Sequence, residues 1–306
     1  MLDIISVGPG EAVLLTDDAK QAIDRADAVW CAARHAVLVP PEKARPLSPL
    51  EGAIEQMRLS SDAGQRAAVL VSGDAGLYSL LEMLKRKIGG EYLRVHPGVS
   101  ALQLFAARLG VSWQDAKILS AHGRALSESA LCHAVRTHRQ TVCFLDAAHN
   151  PAWVRESLNL GGLENARLFV GERLSYPDER TEAYDPDATY DPLCMAYIEN
   201  DAPESGLPPV GLSDEAFIRG KTPMTKRDVR ALVVSALHLK PNGVVWDIGA
   251  GTGSVSVECA RQCPLGEVYA VEMKDEALDL IRRNAERFHA LNLRVVPGRA
   301  QEVLSA

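Results

Sequence analysis

Val244-Val245-Trp246-Asp247-Ile248 is an apolar, strand-like run that opens into Gly249-Ala250-Gly251-Thr252-Gly253-Ser254. A Gly-rich turn between a buried strand and a helix lets backbone N–H groups reach a ligand with no Cβ in the way. The spacing is G-x-G-x-G, which differs from the G-x-G-x-x-G that suits a dinucleotide pyrophosphate. Residues 267–272 read as the next strand and end in Glu272, a carboxylate placed to accept from two ribose hydroxyls. The two cues together suggest S-adenosylmethionine, provided that the sheet around them is complete. An NAD-linked oxidoreductase fits less well, because Ser254 stands where a helix-packing glycine would be.

Three further loops of this kind lie near the start of the chain, each directly after a predicted strand. They are Gly8-Pro9-Gly10, then Gly73-Asp74-Ala75-Gly76-Leu77-Tyr78, then Pro97-Gly98-Val99-Ser100-Ala101. In a parallel sheet the C-terminal ends of the strands share one edge, so the three loops can converge on one crevice. Each alone also reads as an ordinary tight turn between strand and helix.

The elements that must position these loops follow one rhythm. Apolar, β-branched segments alternate with helix-like stretches almost throughout, the pattern of stacked α/β units. Strands are expected at 3–8, 28–32, 67–72 and 92–96, with helices at 16–27 (Thr16 as N-cap), 76–88 and 99–109. A second set has strands at 116–120, 141–146, 167–171, 180–184 and 193–198, the last two close enough to pair antiparallel, and helices at 127–138 and 151–159. Pro203, Gly206, Pro208, Pro209 and Gly211 mark a linker. Beyond it come helix 225–239 capped by Thr225, strand 243–248, helix 253–263, strand 267–272, helix 275–290 and strand 292–296. A Rossmann-like sheet normally carries more strands, so the 244–248 strand is expected to keep an unpaired apolar edge.

With 306 residues and 47% of them hydrophobic, two or three soluble domains are expected. No apolar run reaches the ~20 residues of a membrane span, and no basic segment precedes the first strand, so neither a membrane partner nor a signal peptide is expected. The net charge of −7 argues against a broad nucleic-acid surface. Six cysteines without a C-x-x-C pair read as reduced cytoplasmic thiols, with Cys259 and Cys263 as helix packing and no metal site.

The order and wording of the early loops resemble the tetrapyrrole methylase family: G-P-G near the start, G-D-x-x-x-Y in the middle, P-G-x-S-A after it. Ser120-Ala121-His122-Gly123-Arg124 is similar to the branch that methylates a precorrin in cobalamin synthesis. The resemblance implies a two-subdomain fold over residues 1–200 (subdomains about 1–112 and 113–200), a 201–213 linker, and a partial Rossmann-like methyltransferase domain over 214–306. The whole is thus an α/β chain. It implies S-adenosylmethionine contacts from Pro9, Asp74, Leu77, Ser100, Ala101 and Leu145 in the first domain. In the last domain it implies contacts from Thr225, Gly249, Ala250, Gly251, Thr252, Gly253, Glu272 and Ala300. The same resemblance implies methylation at carbons 5 and 15 of a precorrin with decarboxylation of an acetate arm, and a homodimer. The family's usual proline after G-D is Ala75 here.

His122 on its loop reads as a proton acceptor or carboxylate donor, and Arg124 as a bidentate carboxylate partner. Arg34-His35 has the same chemistry but reads better as a solvated loop. Two other readings stay open: a methylase of the same fold acting on RNA or a modified protein, and a non-catalytic S-adenosylmethionine-binding remnant.

Overall fold

The computed structural model describes residues 1–303. It is mixed α/β, with three sheets in chain order. The chain divides into two compact units, residues 1–114 with 170–182, and residues 115–169 with 183–306.

The first sheet is built from β1 (Leu2–Ser6), β2 (Ala28–Cys31), β3 (Ala44–Pro46), β4 (Ala67–Val71) and β5 (Leu93–His96) in the order β3-β2-β4-β1-β5. All its pairings are parallel. Between the strands run α1 (Asp17–Arg25), α2 (Leu50–Asp62), α3 (Leu81–Ile88) and α4 (Ala101–Leu109). Successive residues of β1 serve opposite faces, as the pleat requires. Leu2 and Ile4 pack with Trp30, Met57, Val69 and Leu84, whereas Ile5 and Val7 pack with Ile23, Val29 and Leu70. Both faces of this sheet are therefore covered. The expected N-cap of α1 is present, Thr16 Oγ1 accepting from the Ala19 N–H.

The second sheet has the order β6-β7-β10-β8-β9. Its strands are β6 (Lys117–Ser120), β7 (Gln140–Phe144), β8 (Arg167–Glu172), β9 (Arg180–Ala183) and β10 (Cys194–Glu199), with helices α5 (Glu128–Thr137) and α6 (Pro151–Leu160). The expected antiparallel pair of the last two strands does not form. β10 runs antiparallel to β7 and β9 lies at the edge beside β8. β10 is buried from Cys194 to Ile198, so it takes a central place, while the polar β9 suits an edge.

The third sheet is parallel, in the order β11 (Val244–Ile248), β12 (Glu267–Glu272), β13 (Leu293–Pro297), with helices α7 (Arg227–Ala236), α8 (Ser254–Gln262), α9 (Asp275–Arg287) and α10 (Ala300–Val303). Its core gathers Val257, Ala260, Val268, Ala270, Ile281 and Leu293 on one face. The other face carries Val244, Trp246 and Ile248, which are 64%, 45% and 44% exposed, with Trp246 stacked on Tyr269. Among the described residues β11 has one neighbouring strand. Val229, Leu232, Val233 and Leu237 on and after α7 are exposed as well.

Two other expectations need correction. Residues 76–80 are not helical: Asp74 Oδ1 accepts from the Gly76 N–H and Asp74 O from the Leu77 N–H, which holds a loop, and α3 starts at Leu81. α7 starts at Arg227 with Lys226 at its cap position; the Thr225 carbonyl instead accepts from Arg230 Nη1. The end of the expected linker is tied down, because the Gly211 and Leu212 N–H groups donate to the Glu258 carboxylate. Arg230 and Glu258, both fully buried, complete that knot as an ion pair at 2.7 Å.

Candidate active site

The three early loops meet because their strands are neighbours: β1 lies between β4 and β5. Gly8 and Gly73 exchange two backbone hydrogen bonds of 3.1 and 2.7 Å. Ser6 Oγ accepts from the Ala75 N–H at 2.9 Å, and Asp74 Oδ2 accepts from the Gly98 N–H at 3.3 Å. A Cβ on Gly98 would stand 2.8 Å from both the Cβ and the carbonyl oxygen of Ser6, so only glycine lets the third loop close on the first.

Pro9, Asp74, Leu77, Ser100 and Ala101 thus belong to one loop cluster at one sheet edge. Their roles in it are partly structural. The Asp74 carboxylate bridges the second and third loops through Gly76 and Gly98. Ser100 is buried and caps α4 in a reciprocal box with Gln103, at 3.1 and 2.7 Å. Pro9 is buried, and Leu77 and Ala101 are partly exposed toward the edge.

His122, Arg124 and Leu145 sit at the matching edge of the second sheet, following the parallel strands β6 and β7. The Ala121 N–H donates to Phe144 O at 2.9 Å and ties the two strand ends together. His122 and Arg124 are exposed, whereas Leu145 is buried, its N–H donating to Cys194 O. This group lies in the other compact unit from the three early loops.

In the third sheet Glu272 ends β12 beside the glycine loop. Its Oε2 accepts from the Gly251 N–H at 3.0 Å, and Oε1 accepts from Met273 and Lys274 N–H groups at 2.8 and 3.1 Å. Burial acts to raise its pKa, but these backbone donors outweigh it and hold the carboxyl below its usual range, so it is ionised. Gly251 has φ +59° and a Cβ there would press 3.3 Å from Pro223 O. Asp247, by contrast, is pushed up by burial, partly offset by Ser256, whose Oγ donates to it at 2.5 Å. Thr252 is buried with its hydroxyl unpartnered, and Asn284 Nδ2 donates to its carbonyl. Gly253 is the residue before α8, and Ala250 donates its N–H to Val271 O. Thr225 is exposed at the start of α7, and Ala300 opens α10 after Gly298, whose N–H donates to Glu272 O.

Sequence reasoning placed Arg34-His35 on a solvated loop, and the structure differs. They lie on a short 3-10 helix, residues 33–38, after β2, where His35 is 1% exposed and Arg34 faces outward. His35 Nε2 receives Arg34 Nε–H at 3.2 Å and meets Ser72 Oγ at 2.9 Å, while Arg34 Nη2 donates to Ser72 Oγ at 2.6 Å. Burial, then the Arg34 charge, pushes His35 down to about 4, so it is neutral at pH 7. The signal available was Ser72 preceding Gly73-Asp74 in the loop that the glycines had already marked.

All six cysteines are free and buried. Burial pushes Cys132, Cys143 and Cys259 up to about 12, which rules them out as nucleophiles near pH 7. No helix among the described residues is long and apolar enough to cross a membrane, and no cluster of metal-ligating side chains occurs among them.

Residues 1–185 match the family model described as tetrapyrrole (corrin/porphyrin) methylases, and residues 215–306 match a precorrin methyltransferase domain. The chain is 32% identical to the precorrin-6Y C(5,15)-methyltransferase (decarboxylating) of a Sinorhizobium species, covering 99% of this chain and 75% of that one. Over 90 residues it is 47% identical to the cobalt-precorrin-6B C(15)-methyltransferase (decarboxylating) of Salmonella typhimurium. That match covers 29% of this chain and 47% of the relative, so the chain spans about half of that relative's length. Among solved structures it shares the fold of the uroporphyrin-III C-methyltransferase of Thermus thermophilus complexed with S-adenosylhomocysteine, at TM-score 0.53 and 18% identity over 65% of this chain and 96% of that one.

Proposed function

The chain belongs to the tetrapyrrole (corrin/porphyrin) methylase family, and on that premise we propose that it methylates a precorrin ring with S-adenosylmethionine. Residues 1–200 are assigned the methylation at carbon 5. The module over 214–306 is assigned to the methylation at carbon 15 with loss of the acetate carboxylate. The convergence of the three loops through Gly8–Gly73, Ser6–Ala75 and Asp74–Gly98 carries this reading.

The residues fit such a cofactor. Gly73 and Gly249 have left-handed φ of +67° and +76° with open space where a Cβ would stand. Glu272, ionised beside the glycine loop, suits two ribose hydroxyls. When bound, S-adenosylmethionine supplies a methyl group on a sulfonium, a good leaving group. The chain's share of the work is orientation, worth ~7–11 kcal/mol of a barrier when reacting atoms are held ~3–3.5 Å apart. An enamine-like ring carbon needs no strong base for attack, so His122 would serve only to take the proton lost afterwards. Arg124 would hold a ring carboxylate in bidentate fashion. Homodimer assembly and a cytoplasmic location belong to the same proposal.

The test is incubation of the full chain with methyl-labelled S-adenosylmethionine and a precorrin of the carbon-5-unmethylated class. With a precorrin already processed at carbon 15, the expected product gains one labelled methyl and keeps its remaining carboxylates. Label on tRNA or ribosomal RNA instead would favour the RNA-directed reading, and cofactor binding without any turnover would favour a sensor.

A further inference from the structure

In the first unit His35 Nδ1 is buried and without a hydrogen-bond partner. Arginine only donates, so the Arg34 Nε–H contact makes His35 Nε2 an acceptor and leaves the ring proton on Nδ1. Ser72 Oγ accepts from Arg34 Nη2 and turns its own proton to the same Nε2. The Nε–Nη2 side of the guanidinium is thereby spent on anchoring. Its outer end, Nη1 and the second Nη2 proton, points away from these partners on an exposed side chain, and no protein acceptor meets Nη1 among the described residues. A guanidinium fixed on one edge and open on the other is preorganised for bidentate capture of a carboxylate. The same short helix also presents Ala33 and Ala36 to an apolar pocket of about 570 Å³, together with Cys31, Pro46, Leu47 and Leu80. An apolar pocket and a directed arginine carried by one helix suit a ligand that is a flat ring fringed with acids.

We propose that Arg34 binds a side-chain carboxylate of the tetrapyrrole, with His35 and Ser72 as positioning residues that fix its guanidinium. This rests on the tetrapyrrole substrate class proposed above. A carboxylate also occurs on the methionine moiety of the cofactor, and the experiment separates the two sources.

The full-length chain and its Arg34→Gln, His35→Gln and His35→Phe variants are titrated with uroporphyrin III and, separately, with S-adenosylhomocysteine, with circular dichroism as the check on folding. Arg34→Gln is expected to weaken uroporphyrin binding about tenfold or more while leaving S-adenosylhomocysteine within about twofold. His35→Gln, which keeps an acceptor, is expected near wild type, and His35→Phe near Arg34→Gln. Arg34 is exposed, so its variant carries the test even if His35→Phe does not fold. Uroporphyrin binding unchanged in Arg34→Gln overturns the site. Loss of S-adenosylhomocysteine with uroporphyrin retained assigns Arg34 to the cofactor and also overturns it. A wild-type chain that binds S-adenosylhomocysteine but no uroporphyrin removes the tetrapyrrole substrate class itself, and this site with it.

Discussion

The first and third sheets carry the same device at their strand ends and differ in what surrounds it. In both, glycine-bearing turns follow parallel strands and donate backbone N–H groups to a carboxylate, Asp74 in one and Glu272 in the other. β1 is flanked on both edges and packed on both faces, with Ile4 and Ile5 fully buried. β11 has one neighbour among the described residues, and its Val244, Trp246 and Ile248 face outward. The comparison separates two properties that a motif mixes together. The capacity to cradle a ligand is local, set by φ angles and missing Cβ atoms. The rigidity that makes a cradle precise comes from burial across several strands, which no short motif encodes.

The third sheet compensates in part with a buried ion pair, and that gives the largest expected effect. Arg230→Met would leave Glu258 charged and unpaired in the interior and should cost roughly 3–5 kcal/mol. Denaturant unfolding that shows this loss confined to the transition of the second unit would sharpen the contrast. An unchanged transition would break it. Next come the side chains on the two strands themselves. Ile4→Ala should cost roughly 2–5 kcal/mol, because it empties a filled core. Val244→Ala on the outward face should stay within ~0.5 kcal/mol. Equal losses for the two would show that the outward face is covered in solution.

Gly98→Ala tests the loop junction. The added methyl meets backbone and Cβ of Ser6, so one loop must move, at a cost of roughly 1–3 kcal/mol. Its S-adenosylhomocysteine affinity should fall more than its stability, as read by calorimetry against thermal unfolding.

The acid response concerns the first unit alone. His35 sits near pKa about 4 when folded, against 6.5 for the free side chain. Between those values the unfolded chain binds the extra proton, so stability present above pH 6.5 is lost as pH falls toward 4. The loss is on the order of 3 kcal/mol. Denaturant midpoints measured across that window should decline in wild type and decline less in His35→Gln.

Much of this was legible in the residues. The alternation of apolar segments marks every strand but β3 to within two residues, and the rule that parallel strands share a C-terminal edge foretold the meeting of the early loops; β3, three residues ending in a proline, is too short and polar to show a pattern. That β11 has one neighbouring strand among the described residues agrees with the strands expected there. What escaped had nonlocal causes. The pairing of β10 with β7 depends on which strand is apolar enough for the sheet centre. α2 has no counterpart among the expected elements, although Ala53, Ile54 and Met57 of it are buried at helical spacing. His35 looked solvated because nothing adjacent in sequence shows that Ser72 comes to meet it.

The most direct measurement is a crystal structure of this chain with S-adenosylhomocysteine. The account predicts ligand density against Gly73, Asp74 and Leu77, reaching the start of α4 at Ser100 and Ala101. Density that leaves those three loops empty and places the nucleoside elsewhere would contradict it.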